Sequence, residues 1–145
     1  MLEEELLFVK EFLAAEAYVS EEELEWDCSI DPEADTSITV PGGLVKSFVE
    51  HALLKEISIH PEGGKIGVSV HRTKLGILII VNDNGSLRYK EYGRGNLIGN
   101  RLELLDQQII DFNKHRDQTI SYQLLDLAYA EPGQTGTRVL ITIAV

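Results

Sequence analysis

Two pairs of apolar runs lie so close together in this 145-residue chain that each must fold back on itself. Lys65 to Arg72 and Leu75 to Val81 are rich in Val, Ile and Leu, with only Thr73-Lys74 between them. Thr119 to Ala130 and Thr137 to Val145 form the second pair, and Glu131-Pro132-Gly133-Gln134 turns between them. A parallel connection needs a crossover of roughly a dozen residues or more, so turns this short predict antiparallel strand pairs. Leu24 to Ile30 alternates with period two and reads as a further strand, and Ile38-Thr39-Val40-Pro41 is extended. Asp31 to Asp35, His60 to Gly64 and Ser86 to Gly95 carry the Pro, Gly and Asp content of loops and turns.

Helical periodicity fills the gaps. Leu2, Leu6, Val9, Leu13 and Ala17 recur at spacings of three and four, predicting an amphipathic helix over 2–19. Glu3, Glu4 and Glu5 sit in its first turn, where the helix dipole favours acidic groups. Its apolar stripe needs a partner, either the rest of the domain or a second helix. A second helix is predicted over roughly 42–56, with Leu44, Val45, Phe48, Val49, Ala52 and Leu53 as its core face. A third runs from about Leu97 to Lys114. The order helix, strand, helix, two strands, helix, two strands predicts an α+β fold. It is a two-layer α/β sandwich in which helices cover one face of a mixed, mostly antiparallel sheet.

Length allows one domain with a core of its own. With 24 acidic against 13 basic residues the formal net charge is −11, a surface that repels nucleic acid and anionic membrane. Neither a nucleic-acid partner nor direct membrane contact is expected. An anionic nucleotide stays open, because local backbone amides and a metal outweigh distant charge. No apolar run approaches the length of a membrane span, and the acidic start MLEEELLFVK is unlike a signal peptide, so the expected location is cytoplasmic. The single cysteine, Cys28, excludes an internal disulfide and alternates with Trp26 and Ile30, which points to packing or plain exposure.

Three places could carry chemistry. The strand Leu78 to Val81 runs into Asn82-Asp83-Asn84-Gly85. Asp-Asn-Gly is an ordinary turn sequence. It also fixes a carboxylate at a strand end, able to accept a hydrogen bond from the exocyclic amine of adenine, with Gly85 allowing close backbone approach. On the second helix Ser47, His51 and Lys55 lie four apart, with Glu50 beside them. They form either a solvated polar face or a stripe facing a triphosphate, where Glu50 would orient or deprotonate water and Lys55 would neutralise phosphate charge. These residues lack zinc-site spacing, so no structural zinc is expected. Third, Gly93-Arg94-Gly95 precedes a helix, as in phosphate cradles, but lacks the endings of a P-loop or a dinucleotide fingerprint. His60, His71 and His115 read as loop, strand and helix-end surface residues.

The order of these signals is more specific than any one of them. Val40-Pro41, Leu44 and Phe48-Val49-Glu50 come first, then Val81-Asn82-Asp83-Asn84-Gly85, then Gly93-Arg94-Gly95 and a helix, then Gly136-Thr137-Arg138-Val139. This resembles the GHKL, or Bergerat-fold, ATPases, and among them the LytS-type sensor histidine kinases of two-component systems. Val40 to Glu50 is similar to that family's Ile-Pro … Leu-Val-Glu-Asn segment. Leu2-Glu3-Glu4-Glu5 with Phe12-Leu13 is similar to the end of its dimerisation helix. The resemblance implies a linker or dimerisation helix over 1–20 and an ATP-binding domain over 21–145. Asp83 would hold adenine, Gly85 would line the base pocket, and Thr137 would support the water network around the base. Gly93 and Gly95 would flank a lid over the phosphates, Lys55 would face them, and Glu50 would be the base. ATP and Mg²⁺ are the implied cofactors. A response regulator, a partner kinase domain and a homodimer through the 2–19 helix are the implied partners.

The departures cluster on the magnesium and phosphate side. His51 stands where the family has its Mg²⁺-ligating asparagine, and imidazole suits softer metals than magnesium. Leu87 replaces the second glycine after Asp83, and only residues 86–92 remain for the lid. In the next box either Asn100 matches the family asparagine or Arg101-Leu102-Glu103-Leu104-Leu105 matches its Arg-Leu helix, and the two registers exclude each other without a gap. No histidine here has the helical context of the phosphoacceptor, which would come from another domain, so the expectation is a piece of a longer sensor, membrane-anchored or not, or a stand-alone relic. The expectation is a degenerate kinase domain that presents ATP to an outside histidine. The alternative is a signalling module that keeps the fold for dimerisation or docking without ATP.

Overall fold

Both short-turn strand pairs close as antiparallel ladders in the computed structural model, which describes residues 1–19, 24–52, 64–84, 95–126 and 136–145, without the side chains of 19, 95–102 and 126. The elements are α1 (Leu2–Val19), β1 (Leu24–Ile30), α2 (Leu44–His51), β2 (Gly64–Arg72), β3 (Gly76–Asp83), α3 (Gly95–Lys114), β4 (Thr119–Asp126) and β5 (Thr137–Ala144). One five-stranded sheet has the order β1-β2-β3-β5-β4. β1 lies parallel to β2, and every other neighbour is antiparallel. The expected fold class is the observed one.

Alternation decides which way the sheet faces. Ile66, Val68 and Val70 on β2, Ile77, Ile79 and Val81 on β3, and Val139, Ile141 and Ile143 on β5 are buried on one side. There they share a core with Leu2, Leu6, Val9 and Leu13 of α1, Leu44, Val45, Phe48 and Val49 of α2, and Leu105 and Ile109 of α3. The α1 stripe thus finds its partner within this domain. No helix among the described residues is long and apolar enough to cross a membrane.

Polar contacts tie the layers at their ends. The first amides of α1, on Leu2 and Glu3, donate to the carbonyls of Ile38 and Thr36 at 2.8 Å, so the extended 36–40 segment serves the helix rather than the sheet. Asn113 near the end of α3 holds Ile120 of β4 in both directions, donating to its carbonyl at 3.0 Å and accepting its amide at 2.9 Å. Tyr122 on β4 sets its ring edge-on to Phe48 at 4.9 Å between centroids and donates its hydroxyl to Asp106 of α3. Burial, and then the Asp106 carboxylate, push that hydroxyl's pKa well above its usual range.

Some boundaries move. The second helix begins at Leu44 rather than 42, because Gly43 adopts φ +82°, a left-handed conformation, and serves as the N-cap. Its predicted end at 53–56 lies outside the described residues. β3 continues past Val81 to Asp83, since pairing with β2 and β5 persists to Ile66 and Thr137. The third helix starts at Gly95 rather than Leu97. A first-turn amide needs no partner within the helix, so glycine opens it without losing a bond.

Candidate functional site

The end of β3 is where the sequence places a carboxylate and where the structure buries one. Asp83 is the last residue of β3 and is 7% exposed, pointing to the helix-covered side with Val81. Its register partner on β5 is Thr137, 1% exposed and on the same side. Acceptor oxygens and a hydroxyl therefore stand side by side at the sheet's rim, drawn from segments 54 positions apart in sequence.

Both flanks of Asp83 are pinned by backbone. On the β2 side, the Asn84 side chain accepts the Lys65 amide at 3.0 Å while the Asn84 amide donates to the Lys65 carbonyl at 3.2 Å. On the β5 side, Gly136 adopts φ +114° and packs directly on Asp83. A Cβ at residue 136 would lie 1.9 Å from the Asp83 carbonyl oxygen and 2.9 Å from the Asn84 Cα. Only glycine fits there. Sequence reasoning named Gly136 as part of a motif but missed this role, whose signal (a glycine directly before a β-strand threonine) is too common to be read alone.

Helix α2 splits its polar residues between two directions. Glu50 is half-buried and lines a groove of about 240 Å³ between α2 and α3, together with Ser47, Leu104, Leu105 and Gln108. Lys46 reaches it across one turn, with Nζ 2.8 Å from the Glu50 carboxylate. Ser47 donates its hydroxyl to the Gly43 carbonyl at 2.6 Å. His51 turns the other way and is 3% exposed. It lies three residues past Phe48 and seven past Leu44, so it shares their core-directed face. The expected polar stripe of Ser47 and His51 is thus divided, with Ser47 beside Glu50 in the groove and His51 in the core. Lys46 and Gln108 are groove-side residues that sequence reasoning missed, although the Lys46–Glu50 spacing of four was visible.

Gly85, Gly93 and Lys55 lie outside the described residues. Gly95 is described as the first residue of α3. A cavity of about 490 Å³ over the other face of the sheet is lined by Glu25, Asp27, Lys65, Ser69, Asn82 and Arg138 and reaches Asp83 and Asn84 at the rim, with Arg138 Nε donating to Asn82 at 2.9 Å.

These residues fit one implied group and not the other. An adenine ring offers an amine for a fixed carboxylate, and Asp83 beside Thr137 supplies the acceptor and a hydroxyl. Magnesium takes oxygen ligands, and His51 offers a nitrogen from a core-facing ring. An imidazole at this α2 position does not suit Mg²⁺.

No protein-family model matches the sequence, and no curated protein matches it. Solved structures do match the fold. The histidine kinase domain of the blue-light activated histidine kinase from Erythrobacter litoralis EL346 aligns at TM-score 0.57 and 18% identity, over 96% of this chain and 63% of that one. The catalytic domain of histidine kinase ThkA aligns at TM-score 0.60 and 15% identity, over 99% of this chain and 92% of that one. Histidine kinase AdeS from Acinetobacter baumannii aligns at TM-score 0.55 and 14% identity, over 94% of this chain and 62% of that one. The chain thus spans less than two thirds of the Erythrobacter and Acinetobacter chains and nearly all of the ThkA domain. It has the fold of histidine kinase catalytic domains.

Proposed function

We propose that this chain is the nucleotide-binding, catalytic-type domain of a sensor histidine kinase, with adenine held at the Asp83–Thr137 rim of the sheet. The observation that carries the reading is the buried register pair of Asp83 and Thr137, locked in place by Gly136 and Asn84 in a fold shared with such domains. A carboxylate at a fixed strand end accepts the exocyclic amine, and a site built for that bond rejects bases that lack it. Glu50, in the α2–α3 groove, is the candidate base, and the histidine to be phosphorylated lies outside this chain. A response regulator or partner kinase domain would receive the signal. The 2–19 helix is proposed as a dimer contact because its outer side leaves Leu7, Phe8 and Tyr18 exposed.

His51, core-facing at the position of the family's magnesium ligand, favours a second reading in which the fold serves docking alone. Calorimetric titration with ATP and ADP, with and without Mg²⁺, separates the two. The first reading expects binding in the micromolar range, with little dependence on Mg²⁺. Asp83→Ala should weaken it at least about 10- to 100-fold, since a hydrogen bond to a charged group is worth about 1.5–3 kcal/mol. His51→Asn should raise the affinity for Mg-ATP over that for ATP alone. No detectable binding at millimolar nucleotide would refute the first reading and leave the docking module.

A further inference from the structure

We propose that Lys46 is a positioning residue for Glu50 and that it takes its own position from α1, which makes α1 a lever on the α2 half of the site. What Glu50 does rests on the nucleotide reading above. How it is held does not.

Helix α2 lacks a side-chain cap of its own, its N-cap being Gly43. Glu5 on α1 provides one from a distance. Its Oε2 accepts the Gly43 amide at 3.0 Å, and its Oε1 accepts the amides of Val45 at 3.1 Å and Lys46 at 3.0 Å. Three donors at the positive end of the α2 dipole thus converge on one carboxylate from another helix, an arrangement that fixes the start of α2 relative to α1.

The same helix then grips the next side chain. Lys46 Nζ lies 4.9 Å from the ring centroid of Phe8 and 5.8 Å from that of Phe12, both within the range of cation–π attraction. Its other neighbour is Glu50, at 2.8 Å. The ammonium is therefore held between two α1 rings and the carboxylate that lines the α2–α3 groove. An isolated, partly exposed i,i+4 pair is weak and mobile, because two long side chains must both be ordered to make it. Here the lysine is ordered from the other side, so the rings of α1 set where the Glu50 carboxylate rests. Phe8 and Phe12 touch Lys46, Lys46 touches Glu50, and α1 itself is clamped by Leu2, Leu6, Val9 and Leu13 in the core and by its first amides on Thr36 and Ile38. A shift of α1 moves Glu5, Phe8 and Phe12 together, and with them the start of α2 and the partner of Glu50.

The test is nuclear magnetic resonance of the whole chain labelled with ¹³C in glutamate side-chain carboxyls, at pH 7 without nucleotide. The Glu50 resonance is identified by its loss in Glu50→Gln. Lys46→Met, which keeps the stem and removes the charge, should displace it, and Lys46→Arg should restore it to near its original position. Phe8→Leu should displace it in the same direction by a smaller amount, although Phe8 does not touch Glu50. Phe8 is 46% exposed, so this variant folds, and amide spectra verify that it has. A Glu50 resonance that moves in Lys46→Met and stays in place in Phe8→Leu would overturn the lever. One that stays in place in Lys46→Met would overturn the positioning role as well. Because no nucleotide is present, absence of ATP binding leaves this result intact, and an unmoved resonance leaves the Asp83 titration intact.

Discussion

Replacing Gly136 by alanine should strongly destabilise the fold, and the size of the effect follows from two independent terms. Residue 136 sits at φ +114°, where a side chain is strained, and an unfavourable backbone conformation of that kind costs about 1–3 kcal/mol. The new Cβ would also sit 1.9 Å from the Asp83 carbonyl oxygen and 2.8 Å from its carbon, so backbone must move, and overpacking of that kind costs about 1–3 kcal/mol more. Together they predict a loss of about 2–6 kcal/mol, from a total of about 5–15 kcal/mol for an ordinary domain. Urea denaturation followed by the fluorescence of Trp26, the single tryptophan, measures it directly. Gly42→Ala is the matched control, because a Cβ there meets no heavy atom within 4 Å, and its effect should stay within about 0.5 kcal/mol. The displaced atoms belong to Asp83, so on the nucleotide reading any Gly136→Ala protein that folds should also bind adenine nucleotide less tightly. A loss below about 1 kcal/mol, the ordinary size for a point mutation, would refute the claim that Gly136 fixes the strand end.

Glu5→Ala removes the acceptor of three α2 amides and should cost about 1–3 kcal/mol in the same assay. An effect within about 0.5 kcal/mol would mean that water replaces the cap. Asp31 has its pKa held below the ordinary carboxylate value, first by the Glu33 amide and then by that of Arg72. A depressed folded-state pKa contributes stability that is complete above the unfolded value of about 3.9 and is lost as pH falls through the folded one. The gap in urea midpoint between the wild type and Asp31→Ala should accordingly be full at neutral pH and shrink below about pH 4, and a gap independent of pH would contradict this.

The bounds of α1 and β1, and the presence and pairing of the two strand pairs, could be read from the sequence because each buries one continuous face, and a buried face imprints a regular spacing of apolar residues. Asp83 was visible as a strand-end carboxylate, yet nothing local reveals that Thr137 stands beside it, since the register of β3 on β5 is set by the whole ladder. His51 shows the opposite difficulty. Its spacing from Ser47 suits a polar stripe and its spacing from Leu44 and Phe48 suits the core, and only the packed structure decides between them. The Lys46–Glu50 pair was missed although its spacing of four is visible, and the two phenylalanines that hold the lysine lie 34 and 38 residues earlier in the chain, beyond any local pattern. Gly95 reads as loop from its company of glycine and arginine, while the helix that follows extends back over it.

The two halves of the site are held by different kinds of bond, and this bears on what a signal could alter. Asp83 and Thr137 are positioned by ladder hydrogen bonds, by the close approach of Gly136 and by the Asn84 clasp on Lys65, all of them contacts within the sheet. Glu50 is reached through side chains: its pair with Lys46 connects it to the rings of Phe8 and Phe12, and the Glu5 cap ties the start of its helix to α1. Backbone ladders in a five-stranded sheet open only when much of the fold opens, whereas a partly exposed ion pair and a cation–π contact are each worth about 1 kcal/mol or less and rearrange without it. A small displacement of α1 that unseats Lys46 would therefore act first on the groove that Glu50 lines. On the nucleotide reading, retention of the base and placement of the candidate catalytic carboxylate become separately adjustable. An input arriving through α1 would then act on chemistry at the α2 half while nucleotide stays bound.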